Sequence, residues 1–136
     1  RVIENLRKKI YIMPIVAQRY VPHGVVSYRV TLAGDRIIQA ITKYGKTWKE
    51  GKLFWKNERY RLFKVDKNLE KLCKKTAKVF GLEWCGIDLL KDENGKWHII
   101  EVNSCPSMDF VIKDMKRSNE ELVKYLLKVH NSILKK

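Results

Sequence analysis

Residues Gly86 to Ser104 read GIDLLKDENGKWHIIEVNS, two apolar runs around an Asn-Gly pair, with one carboxylate in each run, Asp88 and Glu101. Asn-Gly between such runs is the strongest short-range hairpin signal, and a two-residue type I′ turn is its usual form. A loop of Asn94-Gly95 alone pairs Glu93 with Lys96, Leu90 with Ile99, Leu89 with Ile100 and Asp88 with Glu101. Strand alternation then puts Asn103 on the Glu101 face and His98 on the opposite one. Three oxygen-bearing side chains converge: Asp88, Glu101 and Asn103. Directly opposed like charges destabilise a sheet, and an uncompensated carboxylate must hold its proton at a raised pKa. A divalent cation relieves this, and carboxylate and amide oxygens suit Mg²⁺, which commonly binds substrate phosphates too. Pairing of the acids with lysines or arginines relieves it equally, and an out-of-register hairpin removes the problem; all three readings stay open at this level.

The remaining segments supply a sheet and helices for that hairpin. Val2 to Lys9 predicts a short helix, closed by Pro14, and Ile15 to Tyr20 a strand that ends at the turn-like VPHG. Val25 to Leu32 and Arg36 to Thr42 predict a second hairpin, over a Gly34-Asp35 loop suited to a type II′ turn. Within it Arg29 shares a face with Ser27 and Thr31. Lys43 to Tyr60 predicts a loop, rich in lysine and in Tyr44, Trp48, Phe54, Trp55 and Tyr60. Asp66 is an N-cap for a helix whose apolar side is Leu69, Leu72, Cys73, Thr76, Ala77 and Phe80, and Gly81 sits at its C′ position. Ser118 and Glu121 form a capping box opening a last helix, with Leu122, Tyr125, Leu126, Val129 and Ile133 on one face. That order predicts one α+β domain over residues 1–136, an antiparallel sheet covered by helices.

Composition narrows the function. At 136 residues and 45% hydrophobic the chain can build one core. No apolar run approaches the roughly 20 residues a membrane span needs, and the first residues lack a signal-peptide core. Cys73, Cys85 and Cys105 show no metal-ligand spacing, and their odd number points to reduced thiols and a cytoplasmic protein. No Walker A, Rossmann or Gly-x-Ser-x-Gly pattern is present. The formal charge of +14 points to a polyanionic partner, either nucleic acid, a phosphorylated cofactor or an acidic substrate, or else to a lysine-rich solvated surface. Arg29 suits a phosphate site. The basic and aromatic residues after Lys43 suit single-stranded nucleic acid or a lid over an anionic ligand.

Four motifs carry a family likeness: Ala17-Gln18-Arg19-Tyr20-Val21, Arg29 in its strand, Cys85-Gly86-Ile87-Asp88-Leu89-Leu90, and Glu101-Val102-Asn103-Ser104-Cys105-Pro106. In these the chain resembles the ATP-grasp superfamily, and within it the RimK-like carboxylate–amine ligases such as alpha-L-glutamate ligases, over Ile15 to Val111. The last two motifs together are specific. The resemblance implies an ATP- and Mg²⁺-dependent ligase, with Mn²⁺ as an alternative ion, that joins a carboxylate to an amine through an acylphosphate. It implies adenine against Gln18, Arg19, Tyr20 and Val21, metal on Asp88, Glu101 and Asn103, and catalytic roles at the phosphates for Arg29 and Lys43, with Asn57 nearby. Its partners would be a nucleotide and an acidic or amino-acid-like small molecule or protein terminus, with no membrane; many relatives are oligomers, so a homo-oligomer is compatible.

The chain also departs from the pattern. Relatives carry ATP-binding lysines and a glycine-rich loop in an upstream segment, and this sequence begins about where that loop ends. Arg19 replaces a usual acid, and Glu58-Arg59-Tyr60 stands where a glycine pair is common. The expectation is therefore the C-terminal subdomain of an ATP-grasp fold, inactive by itself. The competing readings are a basic nucleic-acid-binding module and a non-catalytic ATP-grasp remnant serving as an interaction domain.

Overall fold

The computed structural model describes residues 19–22, 26–49, 52–107 and 112–135, without the side chains of 45–49, 52–59, 112 and 113. The strands are β1 (Val26–Ala33), β2 (Arg36–Lys49), β3 (Lys52–Leu62), β4 (Trp84–Lys91) and β5 (Trp97–Asn103), and the helices are α1 (Lys67–Val79) and α2 (Ile112–Ile133). The strands form one sheet in the order β3-β2-β1-β4-β5. Every neighbouring pair is antiparallel. The α+β class follows, as the element order predicted. The predicted helix over Val2 to Lys9 lies outside the described residues, as does most of the predicted strand Ile15 to Tyr20; Arg19 to Pro22 are irregular.

One face of the sheet is the main core. Val30 and Leu32 of β1, Ala40 of β2 and Cys85, Ile87 and Leu89 of β4 pack against Leu69, Cys73 and Ala77 of α1. Complete burial of side chains such as Leu32, Ile87, Leu89 and Leu69 stabilises by about 1.5–3 kcal/mol apiece. Asp66 caps α1 as predicted, its carboxylate accepting from the backbone N–H groups of Asn68 and Leu69. Gly81 follows the C-cap at φ +64°, a left-handed conformation that suits glycine. A ring cluster closes this core at its edge: Tyr28 meets Phe63 and Trp97 edge-on, at 5.3 and 4.8 Å between centroids.

The opposite face is divided. At one end α2 lies across it, with Leu122 and Tyr125 against Ala33, Ile38 and Trp84. A bulge makes this possible: the β1–β2 register shifts at Ile38, between the pairs Thr31–Gln39 and Leu32–Ile37. Ile38 and Gln39 thereby both face the helix. The rest of this face carries the polar residues described below.

Three expectations are corrected. Lys43 to Tyr60 is not a loop: β2 continues to Lys49 and β3 returns from Lys52, pairing as a long hairpin. Mean hydropathy hid these strands because lysines and arginines alternate with β-favouring Tyr, Trp, Thr and Phe. Asn94-Gly95 is not a two-residue turn, because Lys91 pairs with Trp97. The Asp92 N–H donates to Lys96 O and the Gly95 N–H to Asp92 O, with Gly95 at φ +78°, which makes a three-residue loop. Asp92 stabilises it by accepting from the Asn94 and Lys96 N–H groups. Finally, α2 does not begin at a Ser118–Glu121 capping box. It begins at Ile112, and Ser118 is a fully buried mid-helix residue.

Candidate functional site

Arg29 of β1 lies directly opposite Asp88 of β4, and Asp88 lies directly opposite Glu101 of β5. Directly opposed residues of an antiparallel pair share a face, so the three form one row across three strands, on the face that α2 covers only in part. The expected Asp88–Glu101 pairing is present, although the hairpin's tip differs from expectation. The longer turn moves the register by one residue, so Leu90 meets His98 and Leu89 meets Ile99; a bulge at Ile100 moves it back before Glu101. Two one-residue deviations cancel at the acids. The bulge also returns His98 to the Glu101 face, contrary to strict alternation; there its Nε2 is 2.8 Å from Asp92 Oδ2. Asn103 pairs with Gly86, one step further along the same face.

Asp88 is fully engaged. The Arg29 guanidinium forks it, Nε donating to Oδ1 at 2.9 Å and Nη2 to Oδ2 at 2.5 Å. Lys43, opposite Ser27 and so one step diagonal to Arg29, adds Nζ to Oδ1 at 2.9 Å. The three side chains keep 11%, 12% and 18% exposure for Arg29, Lys43 and Asp88, so water screens their interaction poorly. Burial alone would push the Asp88 pKa up; the hydrogen bonds and charges of Arg29 and Lys43 outweigh it and hold the carboxyl below the ordinary aspartate value. Glu101 is exposed. Pairing with cations, one of the readings left open by the sequence, is thus realised at Asp88.

The glycine and proline of the two motifs meet here. A Cβ on Gly86 would sit 2.7 Å from Pro106 Cβ and 3.6 Å from Arg29 Cδ. The buried Pro106 therefore packs onto bare backbone beside the stem of Arg29, which explains why this row needs a glycine two residues before the acid. Thr31 lies on the same face, fully buried, with Oγ1 lacking a hydrogen-bond partner among the described residues.

The expected adenine segment is described only in part. Gln18 lies outside the described residues. Arg19, Tyr20 and Val21 line a cleft of about 690 Å³ against His98, Ile99 and Ile100 at the outer hairpin. Asn57 belongs to β3, and its side chain is not described. Among the described residues no three His, Cys, Asp or Glu side chains cluster in a way that could hold a metal ion.

A second polar cluster was not anticipated. Gln39 Nε2 donates to Asp114 Oδ2 at 3.2 Å and to Ser118 Oγ at 3.3 Å. Ser118 Oγ donates to Asp114 Oδ2 at 2.7 Å, and Arg117 bonds both Asp114 and the Ile38 carbonyl. This cluster fastens α2 to β2. The signal available in the sequence was Asp114 and Ser118 four residues apart, one helical turn.

Comparison with known proteins agrees with this architecture. A family model described as a RimK-like ATP-grasp domain matches residues 1–126. A probable alpha-L-glutamate ligase of Marinomonas sp. (strain MWYL1) is 28% identical over 96 residues, 70% of this chain and 32% of the relative. One from Saccharophagus degradans is 27% identical over the same shares. The chain therefore spans about a third of the length of these relatives. Among solved structures, the ATP-grasp ligase PsnB complexed with a phosphomimetic precursor variant, Mg and ADP superposes with a TM-score of 0.60 at 21% identity, covering 78% of this chain and 32% of PsnB. A D-alanine–D-alanine ligase from Bacillus anthracis gives a TM-score of 0.63 at 10% identity, covering 87% and 43%. At such identities the structural likeness speaks to the fold alone, while the family model spans nearly all of the sequence. The chain belongs to the RimK-like ATP-grasp family.

Proposed function

We propose that this chain is the nucleotide- and metal-binding subdomain of an ATP-dependent ligase that joins a carboxylate to an amine. The observation that carries the reading is the row Arg29–Asp88–Glu101 with Lys43 on it: paired acids and paired cations on one face of a rigid sheet. Acids alone would suit a metal, and cations alone an anion. Both together suit a metal–polyphosphate pair. The donors fit magnesium, or manganese, because Asp88, Glu101 and Asn103 offer only hard oxygen atoms. When bound, the metal supplies neutralisation of phosphate charge.

In this reading a substrate carboxylate oxygen attacks the γ-phosphorus, the bond to the β,γ-bridging oxygen breaks, and ADP leaves. An amine then attacks the acylphosphate carbon, phosphate departs, and the amine gives its proton to solvent. Arg29 forks phosphate oxygens and Lys43 adds a point charge, which stabilises the transferring group as its charge redistributes. Asp88, Glu101 and Asn103 hold the metal. Gln18 to Val21 take the adenine, Ile100 lining the cleft with Arg19, Tyr20 and Val21, and Asn57 acts near the phosphates. The glutamate ligase names of the relatives support an acidic amino acid as one substrate, and the precursor-bound neighbour supports a peptide or protein terminus as the other. A cytoplasmic site of action is part of the reading; among the described residues no helix is long and apolar enough to cross a membrane.

The test is ATP binding by calorimetry with and without Mg²⁺. Mg²⁺-dependent binding that is lost in Asp88→Ala and Glu101→Ala supports the proposal. Binding to single-stranded RNA that is steep in salt and indifferent to both substitutions, with no nucleotide binding, replaces it with the nucleic-acid reading.

A further inference from the structure

Resting on that reading, we infer that Lys43, acting with Arg29, makes this site refuse a bare divalent cation and accept one only together with a phosphate anion. Both Asp88 oxygens are already committed: Oδ1 accepts from Arg29 Nε and Lys43 Nζ, and Oδ2 from Arg29 Nη2. The row holds two cations and, with Glu101, two anions, so its formal charge is already balanced. A divalent ion approaching Asp88 alone would compete for its oxygens while two nearly buried positive groups stayed within a few ångströms. In such a poorly hydrated place that repulsion is strong.

A phosphate group changes the balance. It gives the guanidinium fork and the ammonium an alternative partner of better geometry and higher charge. Both can then leave Asp88, whose oxygens become available to a cation that the phosphate itself attracts. Anion and cation binding are thereby coupled, and reciprocity requires each to tighten the other by the same factor. Lys43 is the residue through which to test this. Its flexible stem reaches over from β2, whereas the stem of Arg29 lies beside Gly86 and Pro106.

The experiment titrates the full chain with Mn²⁺ alone, reading free Mn²⁺ by electron paramagnetic resonance, in wild type and in Lys43→Gln, Lys43→Met and Lys43→Arg. Metal-free inorganic triphosphate is titrated in parallel by calorimetry, and thermal melts establish that each variant is folded. The expected result is negligible Mn²⁺ uptake by wild type and Lys43→Arg, and affinity higher by about tenfold or more in the two uncharged variants. Metal-free triphosphate should bind wild type and be weakened in those same two variants. Equal Mn²⁺ affinity across all four proteins, with the Mn²⁺–ATP complex still bound, overturns this inference and leaves the proposed function standing. Failure of wild type to bind Mn²⁺–ATP at all overturns both.

Discussion

At the scale of single residues, the site depends on charges that neutralise one another. Asp88→Asn removes the charge that holds Arg29 and Lys43 while keeping the shape. The expected outcome is loss of metal-dependent nucleotide binding with the fold retained, checked by calorimetry beside circular dichroism. Gly86→Ala tests the packing under the row. A Cβ 2.7 Å from Pro106 cannot be accommodated unless Pro106 moves, so destabilisation of about 1–3 kcal/mol is expected in urea unfolding. Much of this row was legible in the sequence. The Asp88–Glu101 opposition followed from the hairpin signal, and the face of Arg29 from period-two alternation. The Asp88–Glu101 register survived a misjudged turn because the Ile100 bulge restored what the longer loop had removed. Bulges are not visible in an apolar run such as His98-Ile99-Ile100, since an extra isoleucine leaves the pattern apolar. Family likeness gave Lys43 a role at the phosphates, but its contact with Asp88 was not legible, because no local pattern links β2 to β4 across β1.

At the scale of elements, α2 is held to β2 by a buried polar cluster that sequence reading missed. Ser118 followed by Glu121 looks like a capping box, and only tertiary packing shows that Asp114 already lies within the helix. Burial pushes the Asp114 pKa up, but hydrogen bonds from Arg117, Ser118 and Gln39 more than offset this and lower it. A lowered carboxyl contributes stability that is fully present above the ordinary aspartate value of about 3.9 and is lost as the pH falls through its folded value. Urea midpoints should therefore fall between about pH 5 and pH 2, and Asp114→Asn should flatten that slope. Asp114→Ala, which leaves Gln39 and Ser118 with a lost partner, should cost about 2 kcal/mol at neutral pH. The β2–β3 hairpin was missed for a different reason: eight of the eighteen residues from Lys43 to Tyr60 are charged, so the segment is not apolar overall and its mean hydropathy carries no strand signal.

At the scale of the molecule, the sheet separates two surfaces. One face is sealed by α1, and the other carries the site. The charge of +14 is spread well beyond the site: Lys67, Lys71, Lys74, Lys75 and Lys78 run along α1, and Glu70 pairs with Lys74. Lysines one turn apart repel, by about 0.2–0.5 kcal/mol per pair at low salt. Raising the salt from about 20 to 200 mM should therefore raise the thermal midpoint by screening them, a trend differential scanning calorimetry reads directly. The central claim is that a metal and a triphosphate bind together on the Arg29–Asp88–Glu101 row. Its most direct test is a crystal of the chain grown with Mn²⁺ and a non-hydrolysable ATP analogue, with the ion located by anomalous scattering. The prediction is an anomalous peak between Asp88 and Glu101, with Arg29 and Lys43 turned from Asp88 to phosphate oxygens. A nucleotide bound elsewhere, or an intact Arg29–Asp88–Lys43 cluster with Glu101 on the other side of the sheet, would contradict it.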